Sequence, residues 1–418
     1  MGLHEDMLLM GDRALAASRQ LSELSARRKH TILEAMADGI EQRRKMVLEA
    51  NARDVDAGTN AGLTAALLDR LRLNDSRVDG MIKSLRAVAG LKDPIGTRLS
   101  RWIRPNGLVI VKRRVPIGVI GIIYESRPNV TADTAGLCIK TSNAVILRGG
   151  RESLYSNMAL TDAMIAGGRT KGLPEHAVQL IQTTDRDAVR ELVQMEGRVD
   201  LVIPRGGESL IRAVVELARV PVLKHYKGVC HVYVDSAANL DMAMAIVENA
   251  KCQRPGVCNA METLLVHESV AATFVPRMAA RLTELKVELR GDEACRGLVP
   301  SIKEATEQDW HAEYLDMILS VRIVPSLEAA IEHINRYGTR HSDAIVTEDE
   351  AAAERFTGQV DSAAVYVNAS TRFTDGGEFG MGAEIGISTD KFHARGPMGL
   401  EELTSYKYVV YGTGQVRK

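Results

Sequence analysis

Residues 117–150 read IGVIGIIYESRPNVTADTAGLCIKTSNAVILRGG, and this stretch decides the fold. The apolar run at 117–123 predicts a buried strand, residues 129–141 predict a helix, and residues 143–147 predict a second strand. Further helical and apolar stretches alternate after it, at 153–167, 178–182, 186–195 and 200–203. This alternation is typical of right-handed βαβ units, so the sequence predicts a parallel sheet.

The flanking sequence extends this organisation in both directions. Residues 6–90 predict helices, with Leu33, Met36, Ile40 and Val47 on one apolar face. Asn74 is a candidate cap for the last of these helices. A second alternating block predicts another α/β domain, with strands at 230–234, 319–324, 343–346 and 363–367 and helical residues at 239–250, 271–290 and 326–336.

A β-hairpin is predicted around the tight-turn dipeptide Asn106-Gly107, which separates residues 102–103 from the β-rich run 108–115. The tail at 404–411 is strand-like as well. The basic residues of the hairpin permit nucleic-acid binding, but the solvated face of an edge hairpin explains them better. An exposed hairpin and a strand-like tail favour pairing between subunits.

The bulk composition is that of an ordinary soluble protein, with 45% hydrophobic and 26% charged residues in a chain of 418. The 53 basic and 54 acidic residues nearly cancel, which argues against a polyanionic partner or an anionic membrane surface. The N-terminus mixes charges where a secretory signal has an apolar core. The five cysteines are odd in number and widely spaced, so we expect a reducing cytosol and neither a disulfide framework nor a metal site.

Cys258 is the candidate nucleophile. Pro255-Gly256 forces a turn just before it, and an apolar strand follows at Leu264–Val266. A thiol at such a junction, with Arg254 nearby, suits a partly exposed nucleophile. A small buried hydrophobic residue is the alternative, and the local sequence leaves it open.

Two turns are candidates for binding a dinucleotide. Arg205, Gly206 and Gly207 link a buried strand to a helix start, where backbone N–H groups can hold a pyrophosphate. A plain strand-to-helix turn has the same sequence pattern. Arg148, Gly149 and Arg151 follow the strand at 144–147 and can hold the 2′-phosphate of NADP, although a solvated loop fits them equally well.

Six segments in order resemble the aldehyde dehydrogenase superfamily, and within it the branch whose members reduce γ-glutamyl phosphate. They are Tyr124–Thr131, Asn143–Gly150, Gln253–Ala260, Ile331–Gly338, His341–Val346 and Phe379–Ile387. The resemblance implies an aldehyde-dehydrogenase-like α/β fold of two parallel-sheet domains plus a β-hairpin oligomerisation arm. It assigns 1–100 and 117–230 to NADP(H) binding, 231–390 to catalysis, and 101–116 with 404–418 to the arm.

The resemblance also implies roles for single residues. Cys258 matches the catalytic thiol, and Asn129 the asparagine that stabilises the oxyanion, with a helix cap as the alternative for Asn129. Arg148 stands in place of the usual ribose-binding lysine. Glu313 looks like the glutamate that orients the nicotinamide ribose. We expect Arg254 first, then Arg127, Lys224 and His225, to bind the anionic substrate.

One departure from the superfamily pattern is informative. Hydrolytic members carry a glutamate that activates the deacylating water, whereas here the corresponding stretch is 223–228, with His225 nearest that place. The implied reaction is therefore NADPH-dependent reduction of L-glutamyl 5-phosphate to L-glutamate 5-semialdehyde and phosphate, in proline biosynthesis. A homo-oligomer and a transient contact with glutamate kinase are further expectations.

Three other interpretations stay open at this point. A hydrolytic or CoA-acylating dehydrogenase of another small aldehyde differs from the implied enzyme in its phosphate dependence. A cysteine hydrolase or amidase leaves the 117–210 block without a purpose. A catalytically inactive relative has no use for both Cys258 and Asn129.

Overall fold

Helices form where apolar residues recur every three or four positions, and strands form where branched apolar residues cluster. The computed structural model describes residues 2–224 and 227–417. Its helices, in chain order, are α1 Leu3–Ser22, α2 Ala26–Gln42, α3 Arg44–Asn60, α4 Ala65–Leu71, α5 Asp75–Gly90, α6 Asn129–Lys140, α7 Leu154–Arg169, α8 Asp187–Val193, α9 Glu208–Leu217, α10 Leu240–Cys252, α11 Glu268–Glu284, α12 Glu293–Leu298, α13 Glu307–Trp310, α14 Leu327–Tyr337 and α15 Glu350–Gln359. Its strands are β1 Arg98–Ile103, β2 Val109–Pro116, β3 Val119–Tyr124, β4 Ala144–Arg148, β5 Val178–Leu180, β6 Leu201–Arg205, β7 Cys230–Val234, β8 Met261–His267, β9 Glu288–Gly291, β10 Lys303–Glu304, β11 Ile318–Val324, β12 Ser342–Val346, β13 Ala364–Val367, β14 Ile387–Ser388, β15 Gly396–Pro397 and β16 Thr404–Tyr411.

The chain divides into two compact units. Unit 1 comprises Met1–Lys224, Gly380–Gly386 and Met398–Lys418, and unit 2 comprises His225–Phe379 and Ile387–Pro397. Both units contain parallel sheets with helices, as the alternating pattern predicts. The division of labour between a cofactor-binding part and a catalytic part stays a prediction.

Unit 1 is built on a four-stranded parallel sheet in the order β5-β4-β3-β6. All six residues of β3 are buried, because it is a central strand in a unit where both β4 and β6 pair with it. Leu33, Met36, Ile40 and Val47 are all fully buried, although the helix breaks at Arg43, so Val47 belongs to α3. The cap prediction for Asn74 is confirmed, since its side chain accepts the N–H of Arg77.

The predicted hairpin also lies in unit 1. Strands β1 and β2 pair antiparallel, and β16 adds to β2 over its whole length, from Thr404 opposite Pro116 to Tyr411 opposite Val109. Trp102 and Tyr408 make an edge-to-face ring contact, with centroids 6.1 Å apart. The hairpin and the tail therefore form one antiparallel sheet, and its role in oligomerisation remains a prediction.

Unit 2 contains a seven-stranded sheet in the order β10-β9-β11-β8-β7-β12-β13, with every paired strand parallel. One prediction is wrong here, because the helix expected over 271–290 ends at Glu284 and β9 begins at Glu288. Lys286 adopts a φ of 64°, a left-handed conformation that stops a helix. Across the described ranges, no helix has both the length and the apolar composition that a membrane span requires.

Candidate active site

Cys258 lies in the loop between α10 and β8, at the amino-terminal edge of the seven-stranded sheet. Strand β8 is next to β7, and β7 is next to β12. The residues just before these parallel strands therefore meet at one edge, although they are distant in sequence. Gly228 precedes β7 and His341 precedes β12, so both segments flank the loop of the candidate nucleophile.

Gly228 packs directly against the backbone of Cys258. A Cβ atom added at Gly228 would lie 2.7 Å from the Cα of Cys258 and closer still to its carbonyl oxygen. The N–H of Gly228 donates to Oε1 of Glu313 at 2.8 Å. Glu313, the residue expected to orient the nicotinamide ribose, therefore binds the backbone of Gly228. Gly228 in turn packs against the loop between α10 and β8 that carries Cys258, called the nucleophile loop below.

A second cysteine, Cys230, binds the backbone of the loop. The thiol of Cys230 donates to the carbonyl oxygen of Cys258, with Sγ and O 3.2 Å apart. Burial raises the pKa of Cys230 well above its usual value, with smaller contributions from Asp343 and Cys258, so Cys230 remains a thiol and a donor. Burial likewise raises the pKa of Cys138 and Cys295, whereas Cys258 is only half-buried.

Asn259 connects the nucleophile loop to a distant segment. Its Nδ2 donates to the carbonyl oxygens of Arg372 and Thr374, at 3.3 and 2.9 Å. In return, Oγ1 of Thr371 donates to the carbonyl oxygen of Asn259 at 2.8 Å. The side chain of Asn259 is almost fully buried. The 371–374 segment is therefore held in place by the residue that follows Cys258.

A buried ion pair joins the two elements that flank the loop, α10 and β8. Nζ of Lys251 and Oε2 of Glu262 are 2.6 Å apart, and both side chains are fully buried. Oε1 of Glu262 accepts the N–H of Leu315 at 3.1 Å. Burial raises the pKa of Glu262 to about 7, against the opposing effect of Lys251. Glu262 thus fixes the turn that carries Glu313.

The guanidinium group of Arg372 lies close enough to Cys258 and to Arg254 for both to affect its pKa. Burial lowers the pKa of Arg372, the charge of Arg254 lowers it further, and the Cys258 thiolate acts in the opposite direction. Arg254 itself is exposed, and Arg372 is half-buried. Like charges this close repel each other, and an anion bound between or beside them relieves that repulsion.

Asn129 is the first residue of α6 in unit 1. The helix-cap alternative is wrong for this residue, because the cap position is Pro128 and the amide of Asn129 donates to Oδ2 of Asp133 at 3.0 Å. Asp133 also accepts from Oγ of Ser84 at 2.8 Å. An amide group carries two N–H donors, so one is used to orient the side chain.

The dinucleotide candidates also lie in unit 1. The guanidinium of Arg148 is buried and donates to the carbonyl oxygen of Gly149 at 2.7 Å, while Arg151 is exposed in the next turn. Gly206 and Gly207 follow Arg205 and precede α9, as expected. The N–H of Gly207 donates to a carboxylate oxygen, Oε2 of Glu125, at 2.9 Å.

The remaining substrate candidates that the structure describes, Arg127 and Lys224, lie in unit 1. Arg127 is exposed in the turn before α6, and Lys224 ends the main segment of unit 1. His225 lies outside the described residues. Sequence reasoning missed Arg372, which no local pattern marks. It also missed the supporting roles of Gly228 and Glu262, although Glu262 stands only two residues after the matched segment Gln253–Ala260.

A family-level comparison decides the identity of this fold. The model of the aldehyde dehydrogenase family matches residues 4–312. The chain belongs to the aldehyde dehydrogenase family. The predicted aldehyde-dehydrogenase-like α/β architecture is therefore confirmed.

Curated relatives place the chain within that family. A protein named γ-glutamyl phosphate reductase from Moorella thermoacetica is 59% identical over 408 residues, which is 98% of each chain. Another of that name, from Geobacter metallireducens, is 52% identical over the full length of both chains. The crystal structure of γ-glutamyl phosphate reductase from Thermotoga maritima superposes with a TM-score of 0.97 at 48% identity and covers 99% of this chain and 100% of that chain. The resemblance predicted from the six segments is confirmed.

Within the described part of this aldehyde dehydrogenase family member, no group of three or more His, Cys, Asp or Glu side chains is placed to hold a metal ion.

Proposed function

We propose that this chain reduces L-glutamyl 5-phosphate to L-glutamate 5-semialdehyde and phosphate, with NADPH as the reductant, in proline biosynthesis. The observation that carries the proposal is the identity of 52–59% over 97–100% of the chain to relatives named γ-glutamyl phosphate reductase. The half-buried Cys258, whose backbone is contacted by Gly228 and by the thiol of Cys230, provides the nucleophile that such a reaction needs.

Cys258 divides the reaction into two easier steps. Its thiolate attacks the C5 carbonyl of the acyl phosphate, the C–S bond forms, and the C–O bond to phosphate breaks. The product of this step is a thioester on Cys258. Reduction of the thioester breaks the C–S bond, returns the thiolate, and releases the aldehyde. Expulsion of phosphate before the reduction removes a doubly charged group from the reacting carbon.

Asn129 is proposed to stabilise the oxyanion of the tetrahedral intermediates, together with the backbone N–H of Cys258. One N–H of its amide is bound to Asp133, and this contact fixes the direction of the other. Donors that are oriented before the charge develops lower the barrier by several kcal/mol (~3 kcal/mol for one donor). Asp133 is then a positioning residue for Asn129.

Removal of this orienting contact should slow the chemistry without weakening substrate binding. Asp133→Ala is expected to lower kcat about 10-fold and to leave KM within about twofold, because only the transition state uses the oriented amide. Asp133→Asn keeps an acceptor oxygen and should restore most of kcat. Ser84→Ala removes the other partner of Asp133 and serves as the control. Equal losses of kcat in Asp133→Ala and Ser84→Ala, measured by steady-state kinetics, would contradict the positioning role.

Two observations support a dinucleotide in unit 1. Nε of Arg148 is buried and has no hydrogen-bond partner among the described residues. Burial lowers the pKa of Arg148, and the charge of Arg186 lowers it further. The N–H of Gly207 already binds a carboxylate, which shows that this helix start accepts an anion. These groups fit the 2′-phosphate and the pyrophosphate of NADPH, with Arg151, Arg205 and Gly206 beside them. When bound, NADPH supplies the hydride that reduces the thioester, and we propose that Glu313 orients its nicotinamide ribose.

Arg254 is proposed as the first cation to bind the substrate phosphate, because it is exposed in the loop of Cys258 itself. Arg127, Lys224 and His225 are further candidates from the sequence. We also propose a cytosolic homo-oligomer that pairs through the antiparallel sheet of β1, β2 and β16, and a transient contact with glutamate kinase.

The test of the proposed function is phosphate dependence in the reverse direction. NADP⁺ reduction is followed by absorbance with glutamate 5-semialdehyde, with and without inorganic phosphate. We expect strict dependence on phosphate, since the stretch 223–228 lacks the glutamate that activates a hydrolytic water. Turnover without phosphate would mean that the thioester is hydrolysed and that the chain is an ordinary aldehyde dehydrogenase.

A further inference from the structure

A cavity of about 250 Å³ lies in unit 2 beside the nucleophile loop. It is lined by Asn249, Gln253, Arg372, Phe373, Asp375 and Glu378. The lining combines one guanidinium group with two carboxylates, so the cavity offers both a cationic and an anionic wall. The reaction steps described above assign no role to this combination of charges.

Arg372 is firmly placed in the wall of this cavity. Its Nε donates to Oε1 of Gln253 at 2.9 Å, and its carbonyl oxygen accepts from Asn259. Gln253 and Asn259 both belong to the loop that carries Cys258. Arg372 is therefore hydrogen-bonded to the nucleophile loop on both sides of Cys258 in sequence, and its guanidinium group interacts electrostatically with Cys258.

We propose that this cavity binds the α-amino-acid end of the substrate, with Arg372 binding the α-carboxylate and with Asp375 and Glu378 binding the α-ammonium group. The inference rests on the proposed function, which supplies a substrate with one cationic and two anionic groups. Arg–carboxylate pairs are the favoured way to recognise a carboxylate, because the planar guanidinium matches its two oxygens.

The dimensions of the substrate set the distance that this placement has to span. Four C–C bonds of about 1.5 Å separate the reacting C5 carbon from the α-carboxylate carbon, which gives a reach of roughly 5 Å in an extended chain. The proposal therefore requires the guanidinium group of Arg372 to meet the α-carboxylate at about this distance from C5 while C5 remains at the thiol. In this arrangement each guanidinium group binds one anionic group of the substrate. Arg254 binds the phosphate, and Arg372 binds the α-carboxylate. Each bound anion offsets the repulsion between the two cations.

Three aldehydes separate the contribution of the α-carboxylate from that of the α-ammonium group in the phosphate-dependent assay. Glutamate 5-semialdehyde carries both α-groups, 5-oxopentanoate keeps the carboxylate and lacks the amine, and butanal lacks both. Arg372→Gln is expected to lower kcat/KM about 10- to 100-fold for the first two aldehydes and to leave butanal within about threefold. Asp375→Asn and Glu378→Gln should lower kcat/KM for glutamate 5-semialdehyde alone. Arg355→Gln, which removes a surface partner of Glu328 in the same unit, is the control and should change none of the three.

The outcomes distinguish this inference from the proposed function. Equal losses on all three aldehydes in Arg372→Gln would mean a structural role and would overturn the assignment. A rise in the KM for phosphate, with the aldehyde KM unchanged, would move Arg372 to the phosphate and would also overturn it. If Arg372→Gln does not fold, the variants Asp375→Asn and Glu378→Gln test the assignment, since both positions are exposed. An unchanged ratio of kcat/KM between glutamate 5-semialdehyde and 5-oxopentanoate in both variants would exclude an ammonium site in the cavity. A wild-type enzyme that oxidises butanal but not glutamate 5-semialdehyde would instead refute the proposed function.

Discussion

Cys258→Ala is expected to lower kcat by about 10⁴-fold or more, because the thioester cannot form without the thiol and no other group of the loop can replace it. Cys258→Ser should be nearly as inactive, since an unactivated hydroxyl is a far weaker nucleophile than a thiolate. The binding of NADPH should survive in both variants, because the groups proposed to hold its phosphates lie in unit 1. Steady-state kinetics and a fluorescence titration with NADPH measure the two quantities.

Cys252→Ala is the matched control for the thiol. Cys252 ends α10 six residues earlier in the sequence and is half-buried like Cys258. Burial raises its pKa, so it is a poor source of thiolate at neutral pH. Its replacement should leave kcat within about twofold. Substantial turnover in Cys258→Ala, or a collapse of turnover in Cys252→Ala, would show that the nucleophile has been misassigned.

Gly228→Ala should have the second largest effect, although it changes no group that reacts. The added Cβ would lie 2.7 Å from the Cα of Cys258 and nearer to its carbonyl oxygen, so one of two backbone segments has to move. Movement of Gly228 also lengthens its 2.8 Å hydrogen bond to Glu313. Because a displacement of about 1 Å at a reacting group costs on the order of 10²-fold in rate, we expect kcat to fall by about that factor.

The readouts for Gly228→Ala separate a displaced thiol from a general loss of stability. The rate at which iodoacetamide alkylates Cys258 reports the thiol directly, and a thermal melt reports folding. Gly256→Ala is the control in the same loop, because a Cβ there meets only the carbonyl oxygen of Leu315, at an ordinary 3.7 Å. A Gly228→Ala enzyme with the kcat and alkylation rate of the wild type would refute the role of this close contact.

The local elements of the fold were accessible from the sequence, since short-range patterns encode them. The strand at 230–234, the tail strand at 404–411 and the cap at Asn74 agree with the structure. The prediction of a helix through residue 290 was wrong, because the helix ends at Glu284 and Lys286 adopts a left-handed conformation. The spacing of apolar residues in the sequence does not indicate that conformation. The identity of Cys258 as a candidate came from its motif, and the family comparison placed the whole chain.

The sequence by itself determined most of the succession of strands and helices, the family, and the candidate for the reacting thiol, because each depends on residues that are close together along the chain. Only the tertiary structure decided what surrounds that thiol. The strand order β8-β7-β12 brings Gly228, Cys258 and the segment before β12 to one edge of the sheet. Arg372 contacts the nucleophile loop through hydrogen bonds with Gln253 and Asn259, across more than a hundred residues of sequence. Such contacts follow from sheet pairing and close packing, which are properties of the folded chain and leave no local pattern in the sequence.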